Sequence, residues 1–346
     1  MGEHGPGLSF TIDAMTLLGH HDEPEGPGRE LEATSPEFDP ETVPWLDRCY
    51  AEIALYVDSL EQPPAYDLRE KLIHWLRHGF VVFEQAIDHS IIDRFLQDVD
   101  ELMAVPHSSS LYMTIEGYGA RRLRDFPLEA LAHHHSRLMD FHNQSEAGKH
   151  LALNPVAVDF LSHVFRSRVV AMQSLTFMYS TEQDAHQDFA YVTAEVPSHL
   201  AATWIALEDA HPDAGPLFYY EGSHTVRKFD WGNGLVLTAE STRDENEFAS
   251  HLRREATQRG YVEKVFCPRK GDMFFWHAGL VHGGSPVRDP ALTRKSFVTH
   301  YSTEQAYRRD RRTPNQEPVR VELNGGILFA DSRHPDEEDR FRLTSR

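Results

Sequence analysis

The sequence predicts a mainly β protein with flanking helices, its β part built as a sandwich or jelly roll. Two observations predict it. From Val169 onward, short runs rich in β-branched and aromatic residues alternate with turn signals. Before that point, apolar residues recur at helical spacing in three stretches. No internal repeat is visible.

Composition narrows the class. At 346 residues with 40% hydrophobic content, the chain can bury a full core. The formal net charge of -20 argues against nucleic acid or an anionic membrane as partner, because tracking phosphates takes clustered Lys and Arg. Two cysteines, Cys49 and Cys267, make neither a disulfide framework nor a Cys-rich zinc site. We expect a reducing, cytoplasmic setting. No 18-residue apolar run and no signal peptide stands out.

Residues 1–40 are rich in Gly, Pro, Asp and Glu, and the expectation is a flexible acidic arm. Residues 41–346 are expected to form one domain: a helical part 41–165, a β core of about 166–305 with an insertion at 225–260, and a C-terminal segment 306–346. Pro44 suits a first helical turn, and Leu46, Cys49, Ile53, Tyr56, Val57 and Leu60 continue the period. Pro63-Pro64 should stop that helix. A second helix starts near Asp67, buries Leu68, Leu72, Trp75 and Leu76, and ends at Gly79. Phe80–Phe83 reads as a short buried strand. Ser90 resembles the cap of a third helix, with Ile92, Phe95, Leu96, Val99, Leu102 and Met103 on its core face. Residues 112–118 fit a strand or a loop. His133-His134-His135 makes a poor chelate, because consecutive side chains diverge.

Strands are expected at 169–179, 200–207, 215–220, 262–266, 273–276 and 294–301, with turns at Glu221–His224 and Lys270–Asp272. Phe248, Leu252 and Ala256 give the polar insertion a helical period. Arg308-Arg309-Asp310-Arg311-Arg312 reads as a solvated surface, the alternative being a lid to an anionic substrate.

The chemistry centres on Ala185-His186-Gln187-Asp188-Phe189. His186 and Asp188 stand two apart, so on extended backbone both leave one face. One imidazole and one carboxylate can grip a divalent metal; the alternative is a solvated loop. The best third ligand is His282, in Val281-His282-Gly283-Gly284, with His277 as its rival. Two His and one carboxylate on one side of an iron leave open positions, the arrangement of non-heme Fe(II) oxygenases. Arg294, Ser296, Val298 and His300 share one strand face. If that face points inward, Arg294 is a buried cation that needs an anion, either a structural partner or a bound carboxylate.

Taken in order, His186-Gln187-Asp188, Gly222-Ser223-His224, Gly271-Asp272, Trp276-His277, His282-Gly283-Gly284-Ser285 and Arg294-Lys295 resemble the phytanoyl-CoA dioxygenase family. His78–Phe83 is similar to that family's opening segment, and the likeness spans roughly residues 65–305. The resemblance implies a double-stranded β-helix (a cupin-like jelly roll) and an Fe(II)- and 2-oxoglutarate-dependent dioxygenase. It implies His186, Asp188 and His282 as iron ligands and Arg294 as the holder of the far carboxylate of 2-oxoglutarate. Trp204, Gln173 and Thr203 would line the co-substrate pocket. Where family members often carry Gly-Ser after the distal His, this chain has Gly283-Gly284, so a hydroxyl contact would move to Ser285. Phe189, Tyr191, Tyr219 and His277 are candidates for the substrate pocket. The implied reaction uses dioxygen to oxidise a C–H bond of a small molecule, with succinate and CO2 released. Asp188 occupies a position that related halogenases leave to a small residue, which points to hydroxylation. The alternatives are a cupin-like metal enzyme without 2-oxoglutarate, and a binding protein on the same fold.

Overall fold

The computed structural model describes residues 37–48, 52–192, 194–308 and 319–330. Most of the expected N-terminal arm, Cys49 and residues 309–312 of the basic cluster lie outside the described residues. In chain order the elements are α1 (Glu52–Asp58), α2 (Leu68–His78), β1 (Phe80–Phe83), α3 (His89–Ala104), β2 (Tyr112–Ile115), β3 (Gly119–Arg122), β4 (Ser136–Met139), α4 (Glu146–Ala152) and α5 (Pro155–Phe165). There follow β5 (Val169–Phe177), β6 (Leu200–Ala206), β7 (Leu217–Tyr220), α6 (Glu245–Gln258), β8 (Glu263–Phe266), β9 (Met273–His277), β10 (His282–Gly284), β11 (Ser296–Thr303), β12 (Val319–Leu323) and β13 (Gly326–Ala330).

Local chemistry sets the helix ends. The Asp67 carboxylate accepts the Glu70 N–H and starts α2. Gly79 ends it in the left-handed region at φ 76°. A Cβ there would come within 2.5 Å of the His224 ring, so two constraints demand glycine. The third helix starts earlier than the Ser90 expectation. Asp88 is the cap, accepting the Ser90 N–H at 2.8 Å, because its carboxylate reaches the first free amides. The first expected helix is not continuous as described: a 3-10 turn at Trp45–Asp47 precedes α1, which ends at Asp58, before the Pro63-Pro64 stop.

Two sheets form the jelly roll. The large one runs β1-β9-β6-β11-β5-β4-β2-β3, and the small one β10-β7-β8. Strand alternation divides the large sheet's side chains. Val81, Ile205, Phe275, Phe297 and Tyr301 face outward and pack under α2, α3, α4 and α5. Phe80, Leu175, Phe177, Trp204, Phe274, Trp276 and Val298 face inward, where they meet Leu217 and Tyr219 of the small sheet. Replacing a ring such as Phe297, fully buried, with Ala would cost about 3–5 kcal/mol. A single residue of register therefore decides whether a side chain supports the scaffold or reaches the space between the sheets.

Candidate metal centre

His282 opens β10, and His186 pairs with it in an isolated antiparallel bridge. His186 N–H donates to His282 O at 2.9 Å, and His282 N–H returns to His186 O at 3.1 Å. The bridge places the two imidazoles 4.3 Å apart between centroids. Gln187 is extended at φ -126°, ψ 132°, which keeps Asp188 on the same side as His186. Asp188 itself begins a 3-10 turn, Asp188–Ala190, instead of continuing a strand.

The tautomers are set by backbone. His186 Nδ1–H donates to Asp184 O at 2.8 Å, and His282 Nδ1–H to Leu280 O at 3.0 Å. With the Nδ1 proton so held, Nε2 of each ring is the atom left to face inward as a metal ligand. Both Nε2 atoms lie 3.6 Å from Asp188 Oδ1. One donor atom from each of the three residues lies within 4.8 Å of the others. It is the only such group among the described residues. The donor set, two neutral imidazole nitrogens and a carboxylate oxygen with room between them, fits a divalent iron.

The second carboxylate oxygen is tied elsewhere. Asp188 Oδ2 accepts the Trp276 indole N–H at 2.7 Å and lies 3.4 Å from His300 Nε2. The Gln173 amide nitrogen donates to His300 Nδ1 at 3.2 Å, which turns the ring proton on Nε2 toward Asp188. Burial works to raise the Asp188 pKa, but His282 and His300 outweigh it, so the carboxyl stays ionised well below its ordinary range. Burial, with His186 close by, pushes His282 down to about 4, so its ring stays neutral. Neither His300 nor Trp276 was singled out as a site residue from the sequence. The shared face of Arg294, Ser296, Val298 and His300 was the signal that could have found His300.

These groups line a cavity of about 300 Å³. Gln173, Tyr191, Trp204 and Arg294 line it too, as expected. Arg294 is buried, and its Nε has no hydrogen-bond partner. Its guanidinium lies 5.6 Å from the Trp204 ring and 5.9 Å from Phe177. Burial lowers its pKa to about 10, which leaves it charged at neutral pH. No ion pair engages it among the described residues, so the structural salt bridge entertained for it is absent.

Five expected pocket residues do not line the cavity. Thr203, one residue before Trp204, faces the other side of β6, its hydroxyl 3.4 Å from that of Tyr301. His277, one residue past Trp276, likewise points outward, 3.3 Å from Asp47 Oδ2 and beside Trp75. Phe189 turns away with the 3-10 turn and meets Phe38 edge-on at 4.9 Å. Tyr219 lies between the sheets but packs on Phe80 and Phe274, and Leu217 lines the cavity instead. Ser285 leaves β10 with its N–H on Pro216 O, and its buried hydroxyl finds no partner. A serine at 284 would be crowded. A Cβ there would meet the Glu182 backbone at 3.0 Å. His135 of the triple-histidine run bridges Glu116 and Glu182 and belongs to no metal group.

The insertion contributes more than a solvated surface. α6 buries Phe248, Leu252 and Ala256, as its period predicts. Its Arg253 holds the Asp184 carboxylate at 2.5 Å, and the Asp184 carbonyl orients His186. Its first residue, Glu245, reaches the cavity wall.

A jelly roll whose two sheets enclose a His-Asp-His group and an unpartnered arginine defines a metal-dependent oxygenase type of centre. The sequence matches the phytanoyl-CoA dioxygenase (PhyH) family over residues 75–296, and the chain belongs to that family. It is accordingly an enzyme that depends on Fe(II) and 2-oxoglutarate. Solved structures share the fold. EctD from S. alaskensis, crystallised with 2-oxoglutarate and 5-hydroxyectoine, is 17% identical with a TM-score of 0.52, covering 89% of this chain and 92% of its own. The epimerase SnoN from nogalamycin biosynthesis, in complex with Fe3+, alpha ketoglutarate and nogalamycin RO, is 18% identical with a TM-score of 0.51, covering 76% and 98%. No curated protein matches the sequence. Among the described residues no helix is long and apolar enough to cross a membrane.

Proposed function

We propose that this enzyme hydroxylates a C–H bond of a small-molecule metabolite or biosynthetic intermediate, consuming dioxygen and 2-oxoglutarate and releasing succinate and CO2. One observation carries the reading. His186 Nε2, Asp188 Oδ1 and His282 Nε2 converge in a cavity that also holds the unpartnered guanidinium of Arg294. In this reading the three residues hold Fe(II), which when bound supplies the activation of dioxygen. Arg294 takes the far carboxylate of 2-oxoglutarate through its planar fork. Trp204 and Phe177 flank that guanidinium and keep water from it, which strengthens the pair. The hydrogen bond from Trp276, with His300 3.4 Å away, keeps Oδ2 occupied, so Asp188 presents one oxygen to the metal. Asp188 also fills the place a halide would need, which favours oxygen transfer over halogenation. A metal enzyme without 2-oxoglutarate would have no use for a buried, unpaired Arg294.

The test is an anaerobic titration of the apo-protein with Fe(II) and then 2-oxoglutarate, watching for the visible charge-transfer band of the chelate. We expect the band, its loss in Arg294→Gln at limiting 2-oxoglutarate, and no succinate from His186→Ala or Asp188→Ala with the fold intact. Fe(II) binding without the band, or succinate formation unchanged in those two variants, would overturn the reading.

A further inference from the structure

The cavity holds a second arginine that the chemistry above leaves unused. Arg137 sits on β4, two residues before Met139, and both line the cavity. Its Nε is buried without a hydrogen-bond partner. No ion pair engages it among the described residues, and the carboxylate that acts on it from a distance is Glu245. β4 pairs with β5 through Leu138↔Thr176 and Met139↔Leu175, and one further step of that register brings Arg137 opposite Phe177. Arg294 approaches the same Phe177 from the β11 side, because β5 lies between β11 and β4. Arg137 and Arg294 thus reach the inward face from strands on either side of β5, about 10 Å apart.

Arg294 is buried and Arg137 is half-buried with its Nε enclosed, so two cations without an ion-pair partner line one cavity and favour two anions there. A dicarboxylate co-substrate that chelates a metal with one end has one carboxylate left, and Arg294 takes it. We infer that Arg137 is the anchor for a carboxylate on the substrate, so that the enzyme acts on a small organic acid. The inference rests on the proposed reading of Arg294. Glu245 and Tyr191 stand on the same cavity wall, and among the described residues no hydrogen bond or ion pair joins Glu245 to Arg137. The Arg137 fork is therefore open to a ligand in the cavity. A cavity of about 300 Å³ lies at the small end of ligand sites, and co-substrate and substrate must share it. An acid of small-metabolite size fits beside the co-substrate there.

The experiment uses the full chain loaded with Mn(II) and saturating 2-oxoglutarate, with tryptophan fluorescence as readout, since Trp204 and Trp276 line the cavity. The probes are small aliphatic and aryl monocarboxylic acids, each paired with its primary amide. We expect at least one acid to bind the wild type in clear preference to its amide. Arg137→Gln should weaken that acid by about tenfold or more. Arg137→Lys should restore part of it, and 2-oxoglutarate affinity should stay within about twofold in both. Arg294→Gln should do the reverse, losing 2-oxoglutarate and keeping the acid. The inference is overturned if no acid outbinds its amide, or if Arg137→Gln weakens 2-oxoglutarate as much as Arg294→Gln does. If 2-oxoglutarate fails to bind the wild type with metal present, the reading of Arg294 falls instead.

Discussion

Trp276 gives the sharpest handle on the metal centre, because it acts on Asp188 without belonging to the ligand group. Its indole N–H reaches Asp188 Oδ2 at 2.7 Å, in a site where Asp188 is 5% exposed. A hydrogen bond to a buried charge contributes about 1.5–3 kcal/mol, and water cannot easily replace it here. Trp276→Phe keeps most of the ring that packs near Phe274 and His282. It removes the donor and leaves Oδ2 with His300 alone. The carboxylate is then less well oriented. Loss of such a supporting bond typically lowers metal affinity about 10–100-fold. Co(II) titration of the apo-protein measures this directly through its visible bands. Trp204→Phe is the control, since Trp204 lines the same cavity and flanks Arg294 instead of binding Asp188. It should leave Co(II) affinity unchanged within about twofold. Equal Co(II) affinity for Trp276→Phe and the wild type would refute the argument that Oδ2 is held in place by the indole.

Other perturbations test the support around the site. Burial holds His224 down to about 3, against about 6.5 for a free imidazole. Below pH 6.5 the unfolded chain takes up a proton that the folded chain refuses, so stability falls as pH drops from about 6.5 toward 3. His277, Lys228 and Asp47 face the ring; the first two reinforce the effect and Asp47 opposes it. At pH 4.5 the loss is about 3 kcal/mol, and urea denaturation of His224→Gln should show a correspondingly smaller drop between pH 7 and 4.5. Gly284→Ser presses on the Glu182 and Gln183 backbone and should cost about 1–3 kcal/mol in the same assay. Arg253→Gln should change stability by less than about 1 kcal/mol, because the pair with Asp184 is largely exposed. It should still lower Co(II) affinity by up to about tenfold, through the looser Asp184 carbonyl behind His186.

What was legible in the sequence was local or periodic. The α2 boundaries, the β1 run Phe80–Phe83 and the buried face of α3 all follow from spacing and caps, and they stand as read except for the two-residue shift from Ser90 to Asp88. The pair His186 and Asp188 was legible for the same reason, since one extended residue between them decides their common side. What failed was parity. Thr203 beside Trp204 and His277 beside Trp276 were named with their neighbours, yet each stands one residue off on a strand, which sends it through the sheet. The alternation that gives Arg294, Ser296, Val298 and His300 one face, applied to Trp204, removes Thr203.

The residues that were missed are of another kind. Trp276, His300 and Arg137 come from β9, β11 and β4; Trp276 stands in a quoted motif and His300 on the Arg294 face, but neither signal says what the side chain touches, and nothing near Arg137 in the chain marks a site. Their roles follow from strand order, which brings β9, β6, β11, β5 and β4 side by side with one face toward the cavity. That order is a non-local property, and a run of short strands leaves it open. Charge carries the one partial signal. An arginine at an inward position of a core strand is costly unless something answers it. Arg294 could be read that way because its strand was clear from 294 to 301. Arg137 could not, because Ser136–Met139 follows three histidines in a stretch without alternation, and only its pairing with β5 turns Arg137 inward. The same physical rule then bears on both residues: a cation with an enclosed, unpartnered nitrogen in a cavity wall favours an anion in that cavity.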